Sequence, residues 1–108
     1  MSYVTAHVLD ASAGRPAAGV AVTLSDADGA LLASSVTNAD GRVTDLGPEA
    51  LEPGRYEVRF ASGDHFAAQG VACFHPYVPV VFTVVAGQAH YHVPLLLSPY
   101  AYTTYRGS

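Results

Sequence analysis

The segment AHYHVPLLLSPYAYTTYRGS, residues 89–108, concentrates reactive and bulky side chains in a stretch where small polar residues are the common choice. Period-two alternation places His90, His92, Pro94 and Leu96 on one face of a strand and Tyr91, Val93, Leu95 and Leu97 on the other. An imidazole with a pKa near ~6.5 takes a proton from water and returns one around neutral pH, which is general acid–base chemistry. His7 alternates with Leu9 on one face of the first strand and is a candidate for the same surface. Structural hydrogen bonding is the ordinary use of a strand histidine, and it stands as the alternative for each of the five. His90 and His92 also form a His-x-His pair of metal-ligand spacing, but zinc takes three or four protein ligands. The lone Cys73 and the dispersed carboxylates supply no obvious remainder, so no metal is expected. His65 and His75 receive no functional assignment, and Arg42 and Arg106, taken alone, read as solvated surface arginines.

The elements that must hold these groups are strands. Alternation over residues 3–9, then Val20, Val22 and Leu24, then LLASSVT after a DADG turn, predicts three of them. TNADGR reads as a tight turn feeding a short strand at 42–46, and Tyr56, Val58 and Phe60 oppose Arg55, Glu57 and Arg59 on a strand with one wet face. VPVVFTVV, AHYHVPLLLS and YAYTTYRG complete the set. SGDHFAAQG breaks the rhythm and predicts one short helix, with Ser62 as N-cap and Gly70 as terminator. Eight strands and one helix in a single domain, 1–108, imply an all-β sandwich of two antiparallel sheets. If Tyr91, Val93, Leu95 and Leu97 fill the core, Pro94 and Leu96 face outward. Both are poor choices against water, so a second subunit is expected to cover that face and the site to lie at an interface.

Composition narrows the function classes. Half the residues are hydrophobic and only 13% are charged, an apolar excess for a small chain that again points to an interface. Five scattered arginines, no lysine and a net charge of −4 argue against nucleic acid, which requires clustered basic residues. No apolar run reaches the ~18 residues of a membrane span. One cysteine cannot form an internal disulfide, and MSYVTAHVLD carries no secretory pattern, so a reducing, cytoplasmic setting is expected.

TAHVLD at 5–10, GRPAAGVAVTL, TNADGR at 37–42 and the segment 89–108 together make the chain resemble the 5-hydroxyisourate hydrolases, transthyretin-related enzymes of urate breakdown. The likeness covers essentially the whole chain. Its most specific part is the YRGS tetrapeptide with His7 and His92, whereas the central turn pattern also occurs in transthyretin-like accessory domains. Transthyretin, the related hormone carrier, lacks this histidine and arginine set.

The resemblance implies a transthyretin-like sandwich of two four-stranded sheets and a homotetramer, a dimer of dimers, with active sites in a central channel. It also implies no cofactor and hydrolysis of 5-hydroxyisourate at a cyclic amide to 2-oxo-4-hydroxy-4-carboxy-5-ureidoimidazoline. His7, Arg42 and His92 match the family's catalytic positions, and Tyr105, Arg106, Gly107 and Ser108 its substrate-binding tail. On that basis His7 and His92 are the acid–base pair, in either order. Arg42 orients a flat, carbonyl-rich substrate through its planar fork of donors and stabilises charge on the attacked oxygen. Arg106 either contacts substrate or anchors the tail. Ser108 as a nucleophile lacks the G-x-S-x-G elbow, and no spacing ties Cys73 to a histidine. Two other classes remain: a small-molecule binding protein without catalysis, and an accessory sandwich of a larger assembly.

Overall fold

The computed structural model describes residues 2–108. Two sheets enclose the core. The first carries β2 (Arg15–Pro16), β1 (Val4–Asp10), β8 (Tyr91–Leu97) and β9 (Tyr102–Thr104) in that order, with β5 (Arg42–Val43) also paired to β1. The second has the order β4 (Leu31–Val36), β3 (Ala21–Asp26), β6 (Gly54–Phe60) and β7 (Val78–Val84). One helix, α1 (Ser62–Ala67), joins β6 to β7.

The alternation read from the sequence is the alternation of burial. On β1, Val4, Ala6, Val8 and Asp10 are buried while Thr5, His7 and Leu9 are half-buried. On β8, Tyr91, Val93, Leu95 and Leu97 face inward, and on β6, Tyr56, Val58 and Phe60 do so. These side chains meet Val22, Leu24, Leu46 and Phe66 in one continuous core. Removing such aliphatic and aromatic groups from water stabilises the fold by roughly 1.5–3 kcal/mol per side chain.

Four details depart from the expectation. β1 and β8 run parallel, with Thr5 opposite His92 and His7 opposite Pro94. Side-chain alternation is the same for either strand direction, so the pattern could not reveal this. The expected four-stranded sheet has a fifth member because β2 and β5 share the free edge of β1, β5 along its first half and β2 along its second. Both are two residues long, below what periodicity detects, and the strand expected at 42–46 shrinks to Arg42–Val43. Ser62 does not cap α1: its hydroxyl is buried without a partner, and Gly63 N–H donates instead to the carbonyl of Pro76 at 3.0 Å. Finally, Pro94 is already buried and Leu96 half-buried within one chain, so the outer face is less bare than alternation implied. The helix does end as expected. Val71 N–H donates to Phe66 O and Gly70 N–H to Ala67 O, both at 3.0 Å, with Gly70 at φ 70°, the Schellman arrangement.

Two contacts tie the site-bearing sheet together. The Asn38–Gly41 turn docks on β1 through Val8 N–H donating to Gly41 O at 2.7 Å, and Gly41 sits at φ 73° with Val8 O only 2.3 Å from where a Cβ would be. Asp10, buried at the end of β1, accepts from Ser12 Oγ at 2.6 Å, Ala13 N–H at 3.0 Å and His65 Nε2 at 3.0 Å, fastening α1 to the opposite sheet. Burial alone would raise the carboxyl's pKa. The hydrogen bonds from Ser12, His65 and Ala13 and the charge of His65 outweigh that effect and hold it below its ordinary 3.8.

Replacing Gly41 by Ala combines a left-handed backbone with a backbone clash and is expected to destabilise by about 2 kcal/mol or more, read as a lowered thermal midpoint. The depressed Asp10 pKa means its stabilisation is full above the unfolded-state value near 3.8 and is lost as pH falls through the lower folded value. Thermal unfolding measured between pH 6 and pH 2 should therefore show a steep acid loss, and Asp10→Asn should flatten part of it.

Candidate active site

The site lies on the outer face of the five-stranded sheet, where three strands put polar groups in register. His7 on β1 pairs with Arg42 on β5, and Thr5, two residues earlier and on the same face, pairs with His92 on β8. Gly107 bridges to His92 from the tail, its N–H donating to His92 O at 2.9 Å. A Cβ at Gly107 would come within 2.5 Å of His92 Cδ2, so only glycine lets the tail lie this close to the ring. Thr104 Oγ1 donates to Pro94 O at 2.8 Å and secures β9 just ahead of that crossing.

Each functional side chain has an identifiable support. Asn38 Oδ1 accepts from Asp40 N–H at 2.9 Å and Arg42 N–H at 3.0 Å, an Asx arrangement that shapes the turn and launches β5. The carbonyl of Asp40 lies 3.1 Å from Nε2 of His7. A carbonyl can only accept, so His7 carries a proton on Nε2 and leaves Nδ1 for other chemistry. His92 is held through Nδ1, 2.8 Å from Thr5 Oγ1, and the same oxygen is 2.9 Å from Nε2 of His90. Burial first, and then the positive charge of Arg42 and electrostatic interaction with His7 and His90, push the pKa of His92 below its ordinary 6.5. It is therefore neutral, and able to accept a proton, at pH 7.

A cleft of about 260 Å³ is lined by Thr5, Arg42, Thr44, His90, His92 and Ser108, among others. Of the residues expected from sequence, Arg42, His92 and Ser108 meet in this cleft, Gly107 packs on the His92 ring, and His7 is Arg42's partner across the strands. Tyr105 and Arg106 turn the other way. They line a neighbouring crevice of about 340 Å³ with Val80, Phe82 and Tyr91, in which His92 is the one residue shared with the first cleft. There the Arg106 guanidinium sits 5.7 Å from the centre of the Tyr91 ring, a cation–π contact that fixes the tail. Thr5, Asn38 and Thr44 were not among the site residues expected from sequence. For Thr5 a signal existed: it lies two residues from His7 and so on the same strand face. Among the described residues no group of three or more His, Cys, Asp or Glu side chains is placed to hold a metal ion.

The sandwich, with its short helix between two strands of one sheet and its histidine–arginine face on the other, defines the class, and residues 4–107 match the model of the HIUase/Transthyretin family. The chain belongs to that family. Over its whole length it is 47% identical to the 5-hydroxyisourate hydrolase of Caulobacter vibrioides, itself covered completely. Among solved structures, the Klebsiella pneumoniae 5-hydroxyisourate hydrolase matches 99% of this chain and all of its own at 38% identity and TM-score 0.91. Sea bream transthyretin in complex with thyroxine matches 97% of this chain and 94% of its own at 37% identity and TM-score 0.90. Backbone similarity thus does not separate a 5-hydroxyisourate hydrolase from a thyroxine-bound transthyretin.

Removing the guanidinium in Arg42→Ala takes away a charge that disfavours the imidazolium of His92, so the His92 pKa should rise. An NMR titration of the ring protons reads this directly, with Arg42→Lys expected to stay close to wild type.

Proposed function

We propose that this chain hydrolyses 5-hydroxyisourate to 2-oxo-4-hydroxy-4-carboxy-5-ureidoimidazoline. The observation that carries the reading is the convergence of a neutral His92, Arg42 and Ser108 on one cleft with His7 alongside, in a chain similar along its full length to named 5-hydroxyisourate hydrolases. Water attacks the carbonyl of the cyclic amide and gives one proton to His92 Nε2. A carbon–oxygen bond forms, and electron density moves onto the carbonyl oxygen, where Arg42 donates hydrogen bonds to it. Preorganised donors of this kind are worth several kcal/mol, about 2.7–4 for a single one. As the oxyanion collapses, the carbon–nitrogen bond breaks and the departing nitrogen, which becomes the ureido group, takes a proton from protonated His7 at Nδ1. The product acid ionises in water, and proton exchange with solvent resets both rings.

Gly107 and Ser108 close the cleft over the substrate, with the Ser108 hydroxyl as a positioning group. Arg106 contributes by anchoring the tail against Tyr91, and Tyr105 lines the same crevice, so both serve the substrate-binding role of the YRGS segment indirectly. Four chains assemble as a dimer of dimers whose outer faces complete each site. Supporting this are β7 and β9, each at the free edge of its sheet, with Val81 58% exposed on β7, and Tyr105 also 58% exposed beyond β9. The cytoplasm is the proposed setting, supported by an unpaired Cys73. No helix among the described residues is long and apolar enough to cross a membrane.

A carrier role is the second reading, favoured by the equal likeness to a thyroxine-bound transthyretin. Freshly generated 5-hydroxyisourate separates the two: its absorbance should decay faster with protein than in buffer, and decay at the buffer rate would leave the carrier. His92→Ala and Arg42→Ala should each lose about 100-fold or more in kcat, and a chelator should leave the rate unchanged. Sedimentation should show a species of four chains, and a monomer at micromolar concentration would remove the shared-channel model.

A further inference from the structure

The hydroxyl of Thr5 has one proton and lies between two imidazoles, 2.8 Å from Nδ1 of His92 and 2.9 Å from Nε2 of His90. It can donate to only one of them. If it donates to His92, the proton of the neutral His92 ring must sit on Nε2, and no lone pair faces a water molecule there. If it donates to His90, it accepts from His92 Nδ1–H, and Nε2 of His92 holds the lone pair. In a third arrangement both rings donate to Thr5, whose own proton then needs another acceptor. Among the described residues Oγ1 has no other hydrogen-bond partner than these two rings. The charged or titratable groups whose fields act on His92 are Arg42 and His7, on the strands bordering the cleft, and His90.

We propose that Thr5 and His90 are positioning residues: Thr5 accepts from His92 Nδ1–H and donates to His90 Nε2, holding His92 in the tautomer whose Nε2 takes the proton from water. This rests on the reading of His92 as the base. When His92 becomes an imidazolium its Nδ1–H already has an acceptor, so no group need rotate during the step. His90 thereby acts on the reaction through a hydroxyl, without touching the reacting atoms. The parallel register makes the arrangement possible, since it sets Thr5 directly opposite His92 with His90 two residues earlier on the same face.

Thr5→Val keeps the shape and removes the hydroxyl, Thr5→Ser restores it, and His90→Phe removes the acceptor. Thr5→Val and His90→Phe should lower kcat about 30-fold, within the range of acid–base contributions, with little change in KM, while Thr5→Ser stays within about threefold of wild type. Nitrogen-15 NMR of histidine-labelled wild-type protein should show His92 and His90 both protonated at Nδ1, and His92 in Thr5→Val shifting toward Nε2–H. A wild-type His92 protonated at Nε2, or a Thr5→Val enzyme with wild-type kcat, overturns the proposal. Should Thr5→Val fail to fold, the wild-type tautomers and His90→Phe decide it. A wild-type protein that does not hydrolyse 5-hydroxyisourate sinks the hydrolase reading instead, and the spectra still test the hydrogen-bonded chain.

Discussion

The parallel pairing of β1 with β8 is the constraint on which the site depends. Its register places Thr5 beside His92 and His7 beside Pro94, and so assembles one polar face from residues more than eighty positions apart. A slip of one residue would send Thr5 and His92 to opposite faces and expose the valines and leucines that form the core. The hydrophobic effect that buries Val4, Val8, Val93 and Leu95 therefore also fixes the geometry of the candidate site. No separate force is needed to aim the histidines outward.

The second requirement is a cation close to a base. Arg42 arrives on a two-residue strand that pairs with β1 only because the Asn38–Gly41 turn is held by its own side chain and by Val8 N–H. Burial and then its charge, with the other imidazoles, lower the pKa of His92 and favour the neutral ring at neutral pH. In the proposed mechanism the same guanidinium also meets the developing oxyanion, so one residue would act on both the base and the charged stage of the reaction. The tail adds its own constraint, since Gly107 alone leaves space for backbone against the His92 ring.

The fold is common ground between 5-hydroxyisourate hydrolases and a thyroxine-binding transthyretin, to almost the same TM-score. Function is carried by side chains set on a shared scaffold. A face bearing Thr5, His7, Arg42, His90 and His92 presents groups suited to proton transfer and anion stabilisation.

Strand faces were legible in the sequence, because burial on a pleated strand has a period of two and the apolar residues repeat with it. The half-wet strand at 54–60, the inward set on β8 and the glycine that ends α1 followed from local chemistry alone. Motif resemblance singled out His7, Arg42 and His92, and the fold brings Arg42 and His92 into one cleft. Strand direction, the two-residue strands β2 and β5, the buried uncapped Ser62 and the partition of the tail between two clefts were decided only in three dimensions. Each depends on pairing between distant segments, and a one-dimensional pattern holds no record of which edge a strand will meet. Thr5 is the sharpest case: an ordinary strand threonine by type, it becomes the link between two imidazoles because the folded sheet sets them on either side of one hydroxyl.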